Sequence, residues 1–237
     1  GAGMSWVLAN LPTIAGHLLA HLLQAVPAII ASFVLAIPIA RLARVARPLR
    51  AVLVTGSSLL YAVPSLALFV ILPIILATGI RDPLNVIVAL TLYGLALLVP
   101  ATADALDAVD ARVLDAATAM GMGRLRCFLT VELPLAGPAI LTGLRVVTVS
   151  TISLTTVGAV LGVRSLGWLF TDGFQRGITA EIVTGLVATA ALALVLDGLV
   201  LALGRLCLPW TWKRAGDAGA VPAGACAAAS NSQEGKA

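Results

Sequence analysis

Few side chains of this 237-residue sequence have the spacing of catalytic or metal-binding groups. His17 and His21 are four residues apart, which can place two ligands on one helix face, but no third ligand is close in sequence. We therefore interpret them as interfacial residues near a membrane surface. The cysteines, Cys127, Cys207 and Cys226, have neither metal-ligand spacing nor a neighbouring histidine. We expect three free thiols.

The sequence lacks the groups that would make it an enzyme. It has no phosphate-binding loop of the form G-x-x-x-x-G-K-[ST], and no nucleophile–base pair or metal cluster is evident. We expect a chain that binds no cofactor of its own. If the chain takes part in a process that requires energy, a partner must supply that energy.

Three threonines in one apolar stretch form the next candidate site. Thr148, Thr151 and Thr155 share one face of a helix. One hypothesis is that this face lines a translocation path as a neutral polar wall. The alternative is that the hydroxyls bond to carbonyl groups one turn back or to neighbouring helices.

Two charged residues lie inside apolar stretches. Arg145 and Asp197 fall at a similar predicted depth, and an ion pair would lower the cost of placing each in hydrocarbon. We predict that they approach each other. The competing interpretation is that Arg145 extends its side chain to the interface.

The composition of the chain indicates which kind of structure positions these residues. Hydrophobic residues make up 60% of the chain and charged residues 11%, whereas about a quarter of the residues in a soluble domain are charged. The apolar runs are far longer than the ~10-residue strands of a membrane barrel. These features predict an all-α, polytopic membrane helical bundle.

Five spans account for the apolar pattern, since about 20 apolar residues cross a bilayer. They are predicted at about 16–42, 51–79, 83–102, 135–162 and 180–203. The second is long enough to be split at Pro64 and Pro73, but we favour one kinked or broken span over two crossings. The predicted organisation is an N-terminal extracytoplasmic segment at 1–15, a transmembrane domain at 16–210 and a disordered cytoplasmic tail at 211–237.

Basic residues set the expected orientation, because Lys and Arg accumulate on the cytoplasmic side. With five spans, twelve of the 15 fall on the side of 41–50, 104–145 and the C-terminus. The other side has only Arg81, Arg164 and Arg176. We expect a cell-membrane protein with its N-terminus outside and the segment 104–134 and the C-terminus in the cytoplasm.

The segment 104–134 has a pattern of its own. Asp110 can cap a first short helix, and Gly121 and Gly123 can end it. A second piece from Arg124 to Val131 would stop at Pro134 before the next span. The local pattern predicts a compact two-helix loop with an apolar surface that can dock against another protein.

This loop also resembles a known signature. Permeases of ABC importers have the pattern E-A-A, three residues, Gly, nine residues, I-x-L-P. This chain has Asp for Glu and Val for Ile, and seven positions are in register: Asp115, Ala116, Ala117, Gly121, Val131, Leu133 and Pro134. The resemblance implies the type I importer permease fold, with the loop as the coupling helix that binds the ATPase subunit.

Flanking residues resemble one branch of that family, the osmoprotectant permeases. The similar stretches are Tyr61-Ala-Val-Pro-Ser-Leu-Ala-Leu, Met120-Gly-Met-Gly-Arg-Leu, Val131-Glu-Leu-Pro-Leu and Ser165-Leu-Gly-Trp. Glycine betaine, choline, carnitine or a similar quaternary amine is the implied cargo. Permeases for methionine or another amino acid share the five-span core and remain an alternative. An ion-coupled secondary transporter and a membrane scaffold are two further classes.

The resemblance also implies partners. They are an ATP-binding subunit that holds ATP and Mg²⁺, an extracytoplasmic substrate-binding protein, and a second permease subunit, either the same chain or a paralogue. The external loop 164–179 is the expected surface for the binding protein.

Overall fold

The computed structural model describes residues 2–45 and 47–210, and within those residues all regular structure is helical. The helices are α1 (Ala2–Ala9), α2 (Leu11–Val45), α3 (Arg47–Tyr61), α4 (Ser65–Leu76), α5 (Pro83–Asp107), α6 (Ala111–Ala119), α7 (Arg124–Cys127), α8 (Leu133–Thr155), α9 (Trp168–Arg176) and α10 (Thr179–Cys207). A π-helical stretch (Phe128–Glu132) joins α7 to α8, and a 3₁₀ segment (Thr156–Leu161) follows α8. The predicted tail at 211–237 lies outside the described residues.

Within the described residues, four helical stretches are long and apolar enough to cross a bilayer. They are α2, α5, the continuous helical run over 124–161, and α10. Helices α3 and α4 satisfy the same test only together, and they are bent by 110°. The second predicted span is therefore broken rather than kinked.

Pro64 explains the break between α3 and α4. A proline disfavours helical backbone at the residue before it and has no N–H to continue the helix. Pro64 has φ −57° and ψ 128°, outside the helical region. The Tyr93 hydroxyl donates a 2.6 Å hydrogen bond to the carbonyl of Val63, which the break leaves without a helical partner.

The broken pair still carries the chain from one end of the bundle to the other. At the end that we call the basic end, Arg50 pairs with Asp107 at the end of α5. At the opposite end, which we call the far end, Thr78 donates a 2.6 Å hydrogen bond to Asn85 at the start of α5. Helices α3 and α4 therefore make one pass, and residues 2–210 pass along the bundle five times, as the sequence predicts.

The centre of the bundle is built on small residues. Ala28, Ala36 and Ala40 of α2 are fully buried, and a Cβ added to Gly94 of α5 would lie 2.6 Å from the Cβ of Ser32. The hydroxyl of Ser32 lies 2.7 Å from the Ala28 carbonyl of its own helix and 3.2 Å from the Thr91 carbonyl of α5. Small side chains let two helix backbones approach, as is typical of membrane bundles.

The helices extend beyond several of the predicted span limits. Helix α2 begins at Leu11, before the predicted start of the first span near residue 16, and with α1 it makes residues 2–15 mostly helical. Helix α5 continues to Asp107 rather than ending near Thr102. Pro134 does not stop the preceding helix either: the helix continues through the π-helical stretch, in which the Leu133 N–H bonds to the Phe128 carbonyl five residues back. This wider turn accommodates a proline that cannot make the ordinary bond to the carbonyl of residue 130.

Candidate functional site

The segment between α5 and α8 begins with a capped helix. The side chain of Asp110 accepts a 2.9 Å hydrogen bond from the Arg112 N–H, as a helix cap does. The Arg112 guanidinium donates to the same carboxylate at 2.9 Å and holds the pKa of Asp110 below its usual value. Both side chains are exposed, so the cap depends on contacts within the loop itself.

Gly121 reverses the chain after this helix. Its φ is +82°, a left-handed conformation that costs a residue with a Cβ roughly 1–2 kcal/mol. The Met122 N–H bonds to the Ala117 carbonyl at 3.2 Å, which closes the end of α6. Gly123 has an ordinary φ of −65°, so of the two predicted glycines only Gly121 needs to be glycine for its backbone conformation.

The apolar residues of this segment are divided between buried and exposed positions. Ala117 is 2% exposed where α6 packs on α7 and the π-helical stretch, and Phe128 is 5% exposed and packs against the bundle. The exposed set forms what we call the apolar ridge: Val113, Met120, Leu125 and Leu129. Because these residues lie between the predicted spans 83–102 and 135–162, their exposed apolar side chains make this segment a candidate binding surface.

Charged residues surround the apolar ridge. Arg112, Arg124 and Arg126 are exposed, and so is Asp115 at the start of the predicted signature. Ala116 is exposed beside it, whereas Leu133 and Pro134 are half-buried where the segment joins α8. The structure therefore places the first part of the signature at the tip of the basic end and the last part at the base of α8.

The threonines of the predicted path are enclosed within this chain. Thr148, Thr151 and Thr155 have exposed fractions of 0%, 3% and 0%. The hydroxyl of Thr148 donates to the Leu144 carbonyl at 2.9 Å, and that of Thr155 to the Thr151 carbonyl at 2.7 Å. In this conformation they line no open path, so their predicted role in translocation requires movement of the helices around them.

The structure brings the two intramembrane charges together. The Arg145 guanidinium donates to both carboxylate oxygens of Asp197, at 2.8 and 2.7 Å, and so ties α8 to α10. A planar, two-bond pairing of this kind is the strongest geometry for an arginine and a carboxylate.

The two histidines are buried within the protein, which their interpretation as interfacial residues did not anticipate. His17 and His21 are 5% and 0% exposed, because the chain after the 3₁₀ segment folds back onto α2. His17 stacks on Trp168 with 4.6 Å between ring centroids. The Nδ1 atom of His21 accepts from the Leu166 N–H at 3.4 Å, and Gln24 donates to the Arg164 carbonyl at 2.7 Å. We call these contacts the far-end latch.

A second group of contacts that sequence reasoning missed lies at the basic end. Arg44 pairs with both Asp107 and Glu132, and Arg50 also pairs with Asp107. The Arg41 guanidinium lies 4.2 Å from the centroid of the Phe128 ring. The charge count had assigned these arginines only a topological role. The spacing of Arg41 and Arg44, three residues apart on one helix face, was the signal available in the sequence.

Together these features define a multi-pass helical membrane protein with an exposed two-helix segment between its third and fourth passes. A family comparison makes the assignment specific. Residues 29–212 match the model of the binding-protein-dependent transport system inner membrane component. The chain belongs to this family of transporter membrane subunits.

Individual relatives agree with the family assignment. The choline transport system permease protein OpuBD of Bacillus subtilis is 29% identical over 83% of this chain and 86% of its own length. The Salmonella typhimurium osmoprotectant import permease protein OsmY is 34% identical over 62% of this chain and 61% of its own length. The ergothioneine transport permease/ergothioneine binding protein EgtU of Helicobacter pylori is 33% identical over 64% of this chain, a match that spans only 27% of that longer protein.

The fold has counterparts among solved structures. An inward-facing structure of the MetNI methionine ABC transporter aligns with a TM-score of 0.67, covering 88% of this chain and 98% of the matched chain. At 20% identity, this likeness bears on the fold alone. It shows the type I importer permease architecture that the loop signature had implied.

Proposed function

We propose that this chain is the membrane subunit of an ATP-driven importer of quaternary-amine osmoprotectants such as glycine betaine, choline or carnitine. The importer assignment rests mainly on the segment 111–134. In this segment the signature residues belong to a capped two-helix tip that is exposed at one end of the membrane bundle. The cargo rests on the relatives, several of which are named for choline, carnitine or glycine betaine transport. These compounds share a trimethylammonium group.

In this proposal the apolar ridge and the exposed residues Asp115, Ala116 and Gly121 bind a cleft of a separate ATPase subunit. Ala117 is buried and supports this surface from inside the segment. ATP and Mg²⁺ bind to that subunit, and this chain holds no cofactor. Leu133 and Pro134 join the docked tip to α8, so that closure of the ATPase moves α8 relative to the other helices. The basic end lies in the cytoplasm, in agreement with its excess of arginines.

The remaining partners follow from the same assignment. A second permease subunit, the same chain or a paralogue, completes the path that five helices alone do not enclose. An extracytoplasmic binding protein delivers the cargo to the far end, where the loop 164–179 is the proposed docking surface. Cargo selection then lies largely in the binding protein.

Purification of the complex tests this proposal. The tagged chain, isolated in mild detergent from its own membranes, should retain an ATPase subunit. After reconstitution with the binding protein, ATP hydrolysis should rise when glycine betaine, choline or carnitine is added and should not respond to methionine. A complex that responds to methionine alone would overturn the cargo assignment, and a chain without any associated ATPase would overturn the importer assignment.

Substitution in the tip gives a second test. Gly121→Asp should abolish retention of the ATPase, because it places a side chain and a charge at the left-handed turn beside the apolar ridge. Unchanged ATPase retention and unchanged uptake in this variant would contradict the role of the segment as the coupling site.

A further inference from the structure

Contacts at the basic end connect α2 to both ends of the exposed segment. Asp107 is the last residue of α5, immediately before the segment, and Glu132 is the last residue of the π-helical stretch, where the segment meets α8. The Arg44 guanidinium lies between them, 3.5 Å from Asp107 through its Nε and paired with Glu132 through a terminal nitrogen. One side chain of α2 therefore holds both ends of the segment.

Two neighbouring arginines strengthen this connection. Arg50, near the start of α3, pairs with the same Asp107 carboxylate. Arg41, one helical turn before Arg44, stacks on Phe128 at 4.2 Å. Phe128 is itself 5% exposed and packs with Leu106 of α5 and Ile140 of α8. The cationic contact is therefore made to an aromatic ring that the bundle holds in place.

The burial of this group distinguishes it from ordinary surface ion pairs. The side chain of Glu132 is 13% exposed, and those of Arg44 and Asp107 are 30% and 33% exposed. By contrast, the pair between Arg112 and Asp110 within the segment has side chains 90% and 48% exposed. Salt screens exposed pairs strongly and partly buried pairs much less.

We propose that Arg44, with Arg41 and Arg50, is the positioning group that makes α2 move with the exposed segment. The proposal rests on the function given above and adds a second route to it. The direct route runs from the segment into α8 through Leu133 and Pro134. The second runs from the two ends of the segment through Arg44 into α2, the first pass of the bundle.

The π-helical stretch explains why a second route is needed. A π-helical turn is a rare departure from regular α-helix and is found frequently at functional sites. Without the arginines, the stretch Phe128–Glu132 could absorb a movement of the segment locally by changing its own pitch. Pairing at Phe128 and at Glu132 fixes both ends of that stretch to α2, so movement of the segment is passed on.

The experiment measures the number of ATP molecules hydrolysed per cargo molecule imported, in the reconstituted complex with its ATPase and binding protein. Arg44→Gln and Glu132→Gln should each raise this ratio by about threefold or more, a coupling expected of contacting charges. The double variant should raise it no further than either single change does. Retention of the ATPase should be unaffected, because neither residue belongs to the apolar ridge.

Two further variants keep the test decisive. Arg44→Lys keeps one charge but loses the fork that reaches two carboxylates, and its ratio should lie between those of the parent and Arg44→Gln. Val45→Gln introduces the same amide at the next residue, which is 71% exposed, and should leave the ratio at the parent value. If a glutamine variant does not assemble, the comparison of Arg44→Lys with Val45→Gln decides the matter.

The outcomes separate this proposal from the one that it rests on. If the unmodified complex shows no ATP-driven uptake, the proposed function fails. If it imports cargo normally and the ratio is the same in all of these variants, the function stands and the positioning role of Arg44 is wrong. A double variant in which the two single increases in the ratio add up would also overturn it, since independent sites add.

Discussion

The residues that determine how tightly this bundle packs are mostly small. Ser32 and Gly94 let α2 and α5 approach until a Cβ on Gly94 would lie 2.6 Å from the Cβ of Ser32. Neither residue stands out in the sequence, because any membrane helix has many small residues. Their importance depends on which faces of two distant helices meet, and that is fixed only by the fold.

Gly94→Ala should therefore destabilise the protein. Overpacking of a well-packed site costs about 1–3 kcal/mol, and here the obstructing atoms belong to a short serine side chain that cannot move away. Gly198→Ala is the matched control, since a Cβ there would meet no atom within 4 Å, and it should be neutral or stabilising by about 0.5–1 kcal/mol. Unfolding of the purified protein in denaturant would measure both, and equal effects would contradict the packing argument.

The pair of Arg145 and Asp197 is the polar contact that the sequence itself brought to attention. Both residues stood out because charges inside apolar spans are rare and costly. The distance of each residue from the end of its own span gave the common depth, but not the two-bond geometry at 2.8 and 2.7 Å.

Removing one partner of this pair should destabilise the protein more than exchanging the two residues does. Asp197→Ala leaves a guanidinium without its carboxylate and should lower the thermal midpoint and the membrane level of the protein. The exchange variant, Arg145→Asp with Asp197→Arg, should recover a large part of both. If the exchange variant has a thermal midpoint and a membrane level no higher than those of the single variants, the two residues act separately.

At the scale of the elements, the exposed segment was predicted well and its surroundings were not. Asp110 and the glycines have local signals for a helix start and a turn, which the structure follows. The continuous helix through Pro134 was missed, because a π-helical turn has no recognised sequence pattern. The break at Pro64 was left undecided, since a proline in a membrane helix produces either a kink or a break according to its neighbours.

The turn at Gly121 offers a comparison within one segment. Gly121→Ala must adopt φ +82° and should cost roughly 1–2 kcal/mol locally, enough to weaken ATPase binding by about tenfold. Gly123→Ala has an ordinary φ of −65° and should weaken binding much less. Titration of the ATPase subunit against the reconstituted chain would compare them, and a Gly123→Ala effect as large as that of Gly121→Ala would argue against the turn as the cause.

The sequence also did not reveal the far-end latch, in which His17, His21 and Gln24 of α2 contact residues of the loop 164–168. Gln24→Leu removes the 2.7 Å hydrogen bond to the Arg164 carbonyl while preserving much of the side-chain volume. Hydrogen exchange should then be faster at the backbone amides of residues 164–168 and unchanged at α5. Unaltered exchange at Leu166 would show that this loop is held by its other contacts alone.

At the scale of the whole molecule, hydropathy and the arginine distribution were sufficient to predict five passes. They could not show which faces meet, and this is why the path assigned to Thr148, Thr151 and Thr155 stays a prediction. The structure encloses all three residues. If helix movement exposes them during transport, replacing all three with valine should reduce uptake without changing ATPase retention. Intact uptake in the triple variant would remove them from the path.

The central claim is that ATP hydrolysis by a partner, acting through the segment 111–134, drives cargo inward. The most direct measurement is uptake of labelled choline or glycine betaine into vesicles that contain the full complex, with the binding protein added on the side opposite the ATPase. We predict uptake that requires ATP, requires the binding protein, persists when proton and sodium gradients are collapsed, and is lost in Gly121→Asp. Uptake that follows an ion gradient and ignores ATP would contradict the account.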